Sequence, residues 1–84
     1  MRIERSFRGI SMRLALKYLE SVGAETVSED FAEGDGWRAD LSAETVSIGP
    51  SLELTEVTVV FEGEEAVLEE LVPSFAKKAI RAGG

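Results

Sequence analysis

Ile3-Glu4-Arg5-Ser6-Phe7-Arg8-Gly9-Ile10-Ser11-Met12-Arg13-Leu14-Ala15-Leu16 changes period at its centre, and that change decides the fold. Over residues 2 to 7 the chain alternates, with Ile3, Arg5 and Phe7 on one face and Arg2, Glu4 and Ser6 on the other. This is the two-residue repeat of a strand. Gly9 then lets the chain turn, and Ser11 offers a hydroxyl as N-cap. Met12, Ala15, Leu16, Leu19 and Val22 recur at helical spacing until Gly23 provides a stop. One strand therefore runs directly into the first helix.

Beyond Ala24 the pattern returns to short strands. Val27 and Phe31 mark the first, Glu33-Gly34-Asp35-Gly36 makes a tight turn, and Trp37, Ala39 and Leu41 alternate on the way back. Val46 and Ile48 read as another short strand, broken by Gly49-Pro50-Ser51, and Val57, Val59 and Phe61 form the run richest in β-formers. Gly63-Glu64-Glu65 opens a second helix with acids at its positive end, and Lys77, Lys78 and Arg81 close it. Leu68, Leu71, Val72, Phe75 and Ala79 are its apolar stripe, and Pro73 inside it predicts a kink or a split. The order β-α-β-β-β-β-α predicts one α+β domain over residues 1–84, a two-layer sandwich with two helices on one face of an antiparallel sheet. That order is similar to the TATA-binding-protein-like fold, a likeness of shape that carries no activity.

The composition bounds the chemistry. Eighty-four residues, 44% hydrophobic and 30% charged, make one small globular core. Neither Cys nor His is present, so disulfides, thiolate zinc sites and imidazole proton transfer are excluded, and no metal or cofactor is expected. The charged N-terminus and the lack of a long apolar run point to the cytoplasm and away from membranes. The net charge of -7 is unevenly spread: residues 1–20 hold five cations against two acids, and residues 77–84 add three cations. Residues 21–76 hold fourteen acids against Arg38 alone. Such a field disfavours nucleic acid as a partner, and a Glu-rich, Lys-poor surface is halophile-like, although an ordinary acidic protein has the same balance.

Each candidate site has a plainer reading beside it. Arg5 falls between Ile3 and Phe7 on the core face, so it either binds an anion or a carboxylate, or reaches out over the sheet edge. Arg8, Gly9, Ser11 and Arg13 surround the first helix's N-terminus, which suits an anion but equally suits simple capping. Lys78 and Arg81 extend a basic surface or merely match the helix dipole. Trp37 is a ligand platform or a core residue. Leu52, Leu54 and Val60 face away from the helices, which allows a homodimer through the open sheet face. Gly83-Gly84 resembles the tail of ubiquitin-like sulfur carriers, but those proteins open with a β-hairpin before their helix, and a frayed helix end reads the same way.

Phe7-Arg8-Gly9-Ile10-Ser11, Tyr18-Leu19-Glu20, Gly34-Asp35-Gly36-Trp37, Ile48-Gly49-Pro50, Glu56-Val57-Thr58-Val59 and Lys78-Ala79-Ile80-Arg81-Ala82-Gly83-Gly84 together resemble a family of short haloarchaeal proteins of unknown function. That family looks like the C-terminal domain of MoaD-related proteins. The resemblance implies an accessory role near molybdopterin-type or other sulfur-transfer chemistry. Together with the lack of catalytic residues it leads to the expectation of a non-enzymatic binding domain that associates with a small sulfur-carrier protein through the basic surface of Arg5, Arg8, Arg13, Lys78 and Arg81. The sequence leaves two alternatives open: a small-ligand-binding module with a groove between the last helix and the sheet, and a diglycine-tailed carrier.

Overall fold

In the computed structural model, which describes the fold of residues 1–83 and the side chains of residues 1–81, the opening segment forms strand β1 (Arg2–Arg8) and helix α1 (Met12–Ser21). The Ser11 hydroxyl accepts a hydrogen bond from the Leu14 N–H at 3.1 Å, satisfying one of the free amides of the first turn. After the Val22 C-cap the chain leaves the helix through Gly23 at φ +118°, a conformation that L side chains rarely adopt. Because the cap is one exposed hydrogen bond, Ser11→Ala is expected to lower stability by about 1 kcal/mol. A denaturant titration checks this, and an unchanged midpoint would mean the bond contributes nothing.

Four further strands, β2 (Thr26–Val27), β3 (Phe31–Gly34), β4 (Trp37–Ser47) and β5 (Glu53–Gly63), follow before helix α2 (Glu65–Gly83). The five strands form one sheet in the order β1-β5-β4-β3-β2, antiparallel throughout. The element order and fold class are those read from the sequence, while two strand boundaries differ. Val27 and Phe31 do not share a strand: Val27 lies opposite Ala32, whereas Phe31 lies opposite Asp40 on the other face. The segments around Leu41 and Val46, read as two strands, are one strand of eleven residues paired with β5 from Trp37 to Ser47. Alternation lapses over Ser42-Ala43-Glu44-Thr45 because both faces are exposed there, yet the backbone ladder continues.

Both helices pack on one face of the sheet, α1 over β2, β3 and β4 and α2 over β1 and β5. The cross-strand rows Ile3–Phe61–Ala39 and Phe7–Val57–Ala43 fix which side of each strand turns inward. Val57, Val59, Phe61, Leu19, Leu68 and Phe75 are fully buried between the layers. Phe75 meets Phe7 and Phe61 edge-on, with ring centroids 5.3 and 5.6 Å away. Pro73 does not split α2, which is helical on both sides of it. Pro73 and Glu69, whose carbonyl loses its partner there, both lie on the exposed side, so the freed carbonyl is not shut away from solvent.

The β4–β5 hairpin outruns its neighbours. β1 ends opposite Glu56 and β3 begins opposite Asp40, so residues beyond these project as a two-stranded arm. The molecule accordingly measures 43 × 22 × 20 Å.

Candidate functional site

Trp37 starts β4 immediately after Gly36, which takes φ +82° in the turn from β3. Its indole is buried where Gly34 leaves room for the ring, and Gly63 allows the close approach of the strand backbones beside it. A Cβ on Gly34 would run into indole atoms Nε1, Cε2 and Cζ2, and one on Gly63, paired opposite Trp37, would strike the Gly36 carbonyl and the Trp37 backbone. The ring therefore lies against the end of the sheet where side chains are missing. Above it pass the last residue of α1's cap, Val22, and the first half of α2.

These elements enclose an open groove of about 640 Å³ lined by Val22, Trp37, Val67 and Leu71 below and by Glu70, Ser74 and Lys78 along the rim, with Ala66 at its start. Ala66, Glu70, Ser74 and Lys78 recur every four residues and so form one line along α2. The groove thus has an apolar floor, an acid near one end and an amine near the other, about 12 Å apart along the helix. An extended segment with an acidic or carboxylate end would meet Lys78 with its charge and the Trp37–Leu71 floor with its apolar atoms.

The structure brings Trp37 and Lys78 together in this groove and separates the remaining candidates. Arg5 sits on the helix-facing side of β1, opposite Val59, but its side chain is exposed and its guanidinium reaches only the Glu4 carbonyl at 3.4 Å. No burial of charge results. A cation turned inward on an edge strand discourages another strand from adding there, which gives Arg5 a physical role without a ligand. Arg8 lies on the opposite side of the sheet, where its Nε donates to Glu56 at 2.9 Å. Ser11 is engaged by the helix cap, Gly9 takes φ +84° in the turn and donates its N–H to the Thr55 carbonyl, and Arg13 is exposed on α1. Arg81 follows Lys78 by three residues on α2 and is exposed. Gly83 is the last residue of α2, and Gly84 lies outside the described residues.

Sequence reasoning did not find the rest of the groove, although the four-residue spacing of Ala66, Glu70, Ser74 and Lys78 was a readable signal. It also passed over Arg38, on the open sheet face. That guanidinium lies 4.2 Å from the Phe31 ring centroid, donates to both carboxylate oxygens of Asp40 and approaches Glu33 at 3.7 Å. The Asp40 hydrogen bond holds Arg38 above its ordinary pKa range. The guanidinium thus bonds Asp40 on its own strand, stacks on Phe31 and pairs with Glu33 of β3, so the cluster reads as a surface tie between β3 and β4. Among the described residues, no group of three Asp or Glu side chains is placed to hold a metal ion, and no helix is long and apolar enough to cross a membrane.

Comparison with known proteins yields a family: the model described as archaeal MoaD-like protein matches residues 3–84. A comparison with the curated proteins gives no match.

Proposed function

Because the chain belongs to the archaeal MoaD-like protein family, we propose that it is a non-enzymatic binding domain that works beside a small sulfur-carrier protein of the molybdopterin type. The groove between α2, Val22 and Trp37 receives an extended segment of that partner. The observation that carries this reading is the convergence of Trp37 and Lys78, forty-one positions apart in sequence, on one groove.

Lys78 and Arg81, with Lys77 beside them, make the C-terminal half of α2 basic in a chain whose middle is acidic. An acidic carrier is steered to that end of the helix, while the acidic stretch of residues 21–76 repels it. Arg5 and Arg8 stand on opposite faces of the sheet, so the docking surface centres on Lys78 and Arg81. The same groove supports the second reading, a small-ligand module, since its volume lies in the range of small-molecule sites.

Isothermal titration of the chain with an archaeal sulfur carrier, and separately with small carboxylates and phosphate, distinguishes the two. Saturable binding of the carrier that falls at least about tenfold in Lys78→Glu, a change of roughly 1.4 kcal/mol, is the expected result. Binding of a small anion alone would favour the ligand module, and carrier binding indifferent to Lys78→Glu would remove the groove from the interface.

A further inference from the structure

The free edges of the sheet are not protected alike. β1 is an edge strand that carries three cations, with Arg5 turned inward, and β2 is only two residues long, both recognised ways of discouraging strand addition. β4 is different beyond Leu41, whose N–H donates to the Asp30 carbonyl at 2.8 Å and ends the contact with β3's side. Past that point Ser42–Ser47 has no neighbour on one side, and it contains no Lys, Arg or Pro.

The hydrogen-bond parity of the arm follows from its closing bond. The Ile48 N–H donates to the Leu52 carbonyl at 2.8 Å, so the even-numbered residues of the overhang bond to β5. Ala43, Thr45 and Ser47 therefore turn their backbone N–H and C=O groups to the open edge. A second, independent feature lies on the same arm. Val46 is paired opposite Leu54 on the face away from the helices, and Ile48 and Leu52 continue that side with 46% and 54% exposure. An apolar patch and an unpaired strand edge thus coincide.

We propose that the β4–β5 arm is a two-fold interface in which β4 of a second copy adds antiparallel to the free edge. With Val46 facing Val46 of the second copy, Thr45 exchanges two hydrogen bonds with Ser47 of the copy and Ser47 exchanges two with its Thr45. The two Val46–Leu54 pairs then form one apolar cluster across the joint. The second copy is the occupant that matches both features at once, because an antiparallel two-fold at Val46 pairs the free N–H and C=O groups of each arm with those of the other and joins their apolar patches. The cost is electrostatic: Glu44 and Glu53 leave each arm acidic with no cation of its own, whereas Glu56 at its base is paired with Arg8. In this register Glu44 stands about 14 Å along the strand from its counterpart, beyond the screening length of about 10 Å at 0.1 M salt.

This charge arrangement gives the interface a signature. Added salt strengthens the pairing of two acidic arms and weakens the capture of a basic peptide strand on the same edge. Sedimentation equilibrium of the full chain up to millimolar concentration is expected to show a doubling of mass that sets in at lower concentration as salt is raised. Thr45→Pro removes an edge donor whose N–H does not serve the β4–β5 ladder, and Val46→Glu buries charge in the joint. Each is expected to stay monomeric with an unchanged circular dichroism spectrum, and Val46→Glu serves if Thr45→Pro fails to fold. A wild-type chain that remains monomeric at every salt concentration overturns the proposal, as does a dimer that persists in both variants or dissociates as salt is added.

Discussion

Phe75→Ala is expected to lower stability by about 3–5 kcal/mol, the usual cost of deleting a buried phenylalanine ring. Phe75 is fully buried and is the residue through which α2 meets both β1, at Phe7, and β5, at Phe61. Truncation leaves a cavity bounded by two further rings on strands that cannot move toward the helix without breaking the ladder between Phe7 and Val57. A domain of this size has a total stability on the order of 5–15 kcal/mol, so the variant melts far earlier or is unfolded at the outset. Thermal and denaturant unfolding followed by circular dichroism measure the loss. A shift of less than about 1 kcal/mol would mean that α2 is not anchored at this ring.

Gly34→Ala is expected to cost about 1–3 kcal/mol and to move Trp37 as well. Gly34 does not occupy the positive-φ region, so its requirement for glycine comes from the indole that lies where a Cβ would be. The ring is held from above by the helices, and the added methyl group must push it toward the groove or spread β3 from β4. Either response changes the floor on which the proposed partner rests. The variant is therefore expected to lose stability and carrier binding together, with a shift in tryptophan emission. Native stability with unshifted emission would show that the site has slack at Gly34.

Most of the architecture was legible because burial imposes a period. Val57, Val59 and Phe61 alternate in the sequence and lie in one row of the core, and Leu68, Leu71, Val72, Phe75 and Ala79 do the same at helical spacing. Where burial stops, the signal stops with it: Ser42–Thr45 are strand without an apolar period, because hydrogen bonds to β5 hold them and no helix covers them. Pro73 allowed a kink or a split, and the split did not occur; the cost of its missing bond depends on whether the orphaned carbonyl faces solvent, which composition does not state. Arg5 was rightly placed on the inner face, but only its position on an edge strand explains how its charge stays hydrated. The separation of Arg5 from Arg8 was readable from parity alone, as an odd spacing in a strand puts two side chains on opposite faces. The groove was the least legible feature, because it depends on how the end of α1 approaches α2 over Trp37, a contact between segments distant in sequence.

Trp37 is the sole tryptophan of the chain, so its fluorescence reports on the groove floor and nowhere else. Titration of the chain with the sulfur carrier, followed at the tryptophan emission maximum, tests the central claim most directly. Occupation of the groove predicts a saturable shift with the affinity seen by calorimetry, lost in Lys78→Glu. A complex that forms by calorimetry while the emission stays constant would place the partner elsewhere and contradict the account.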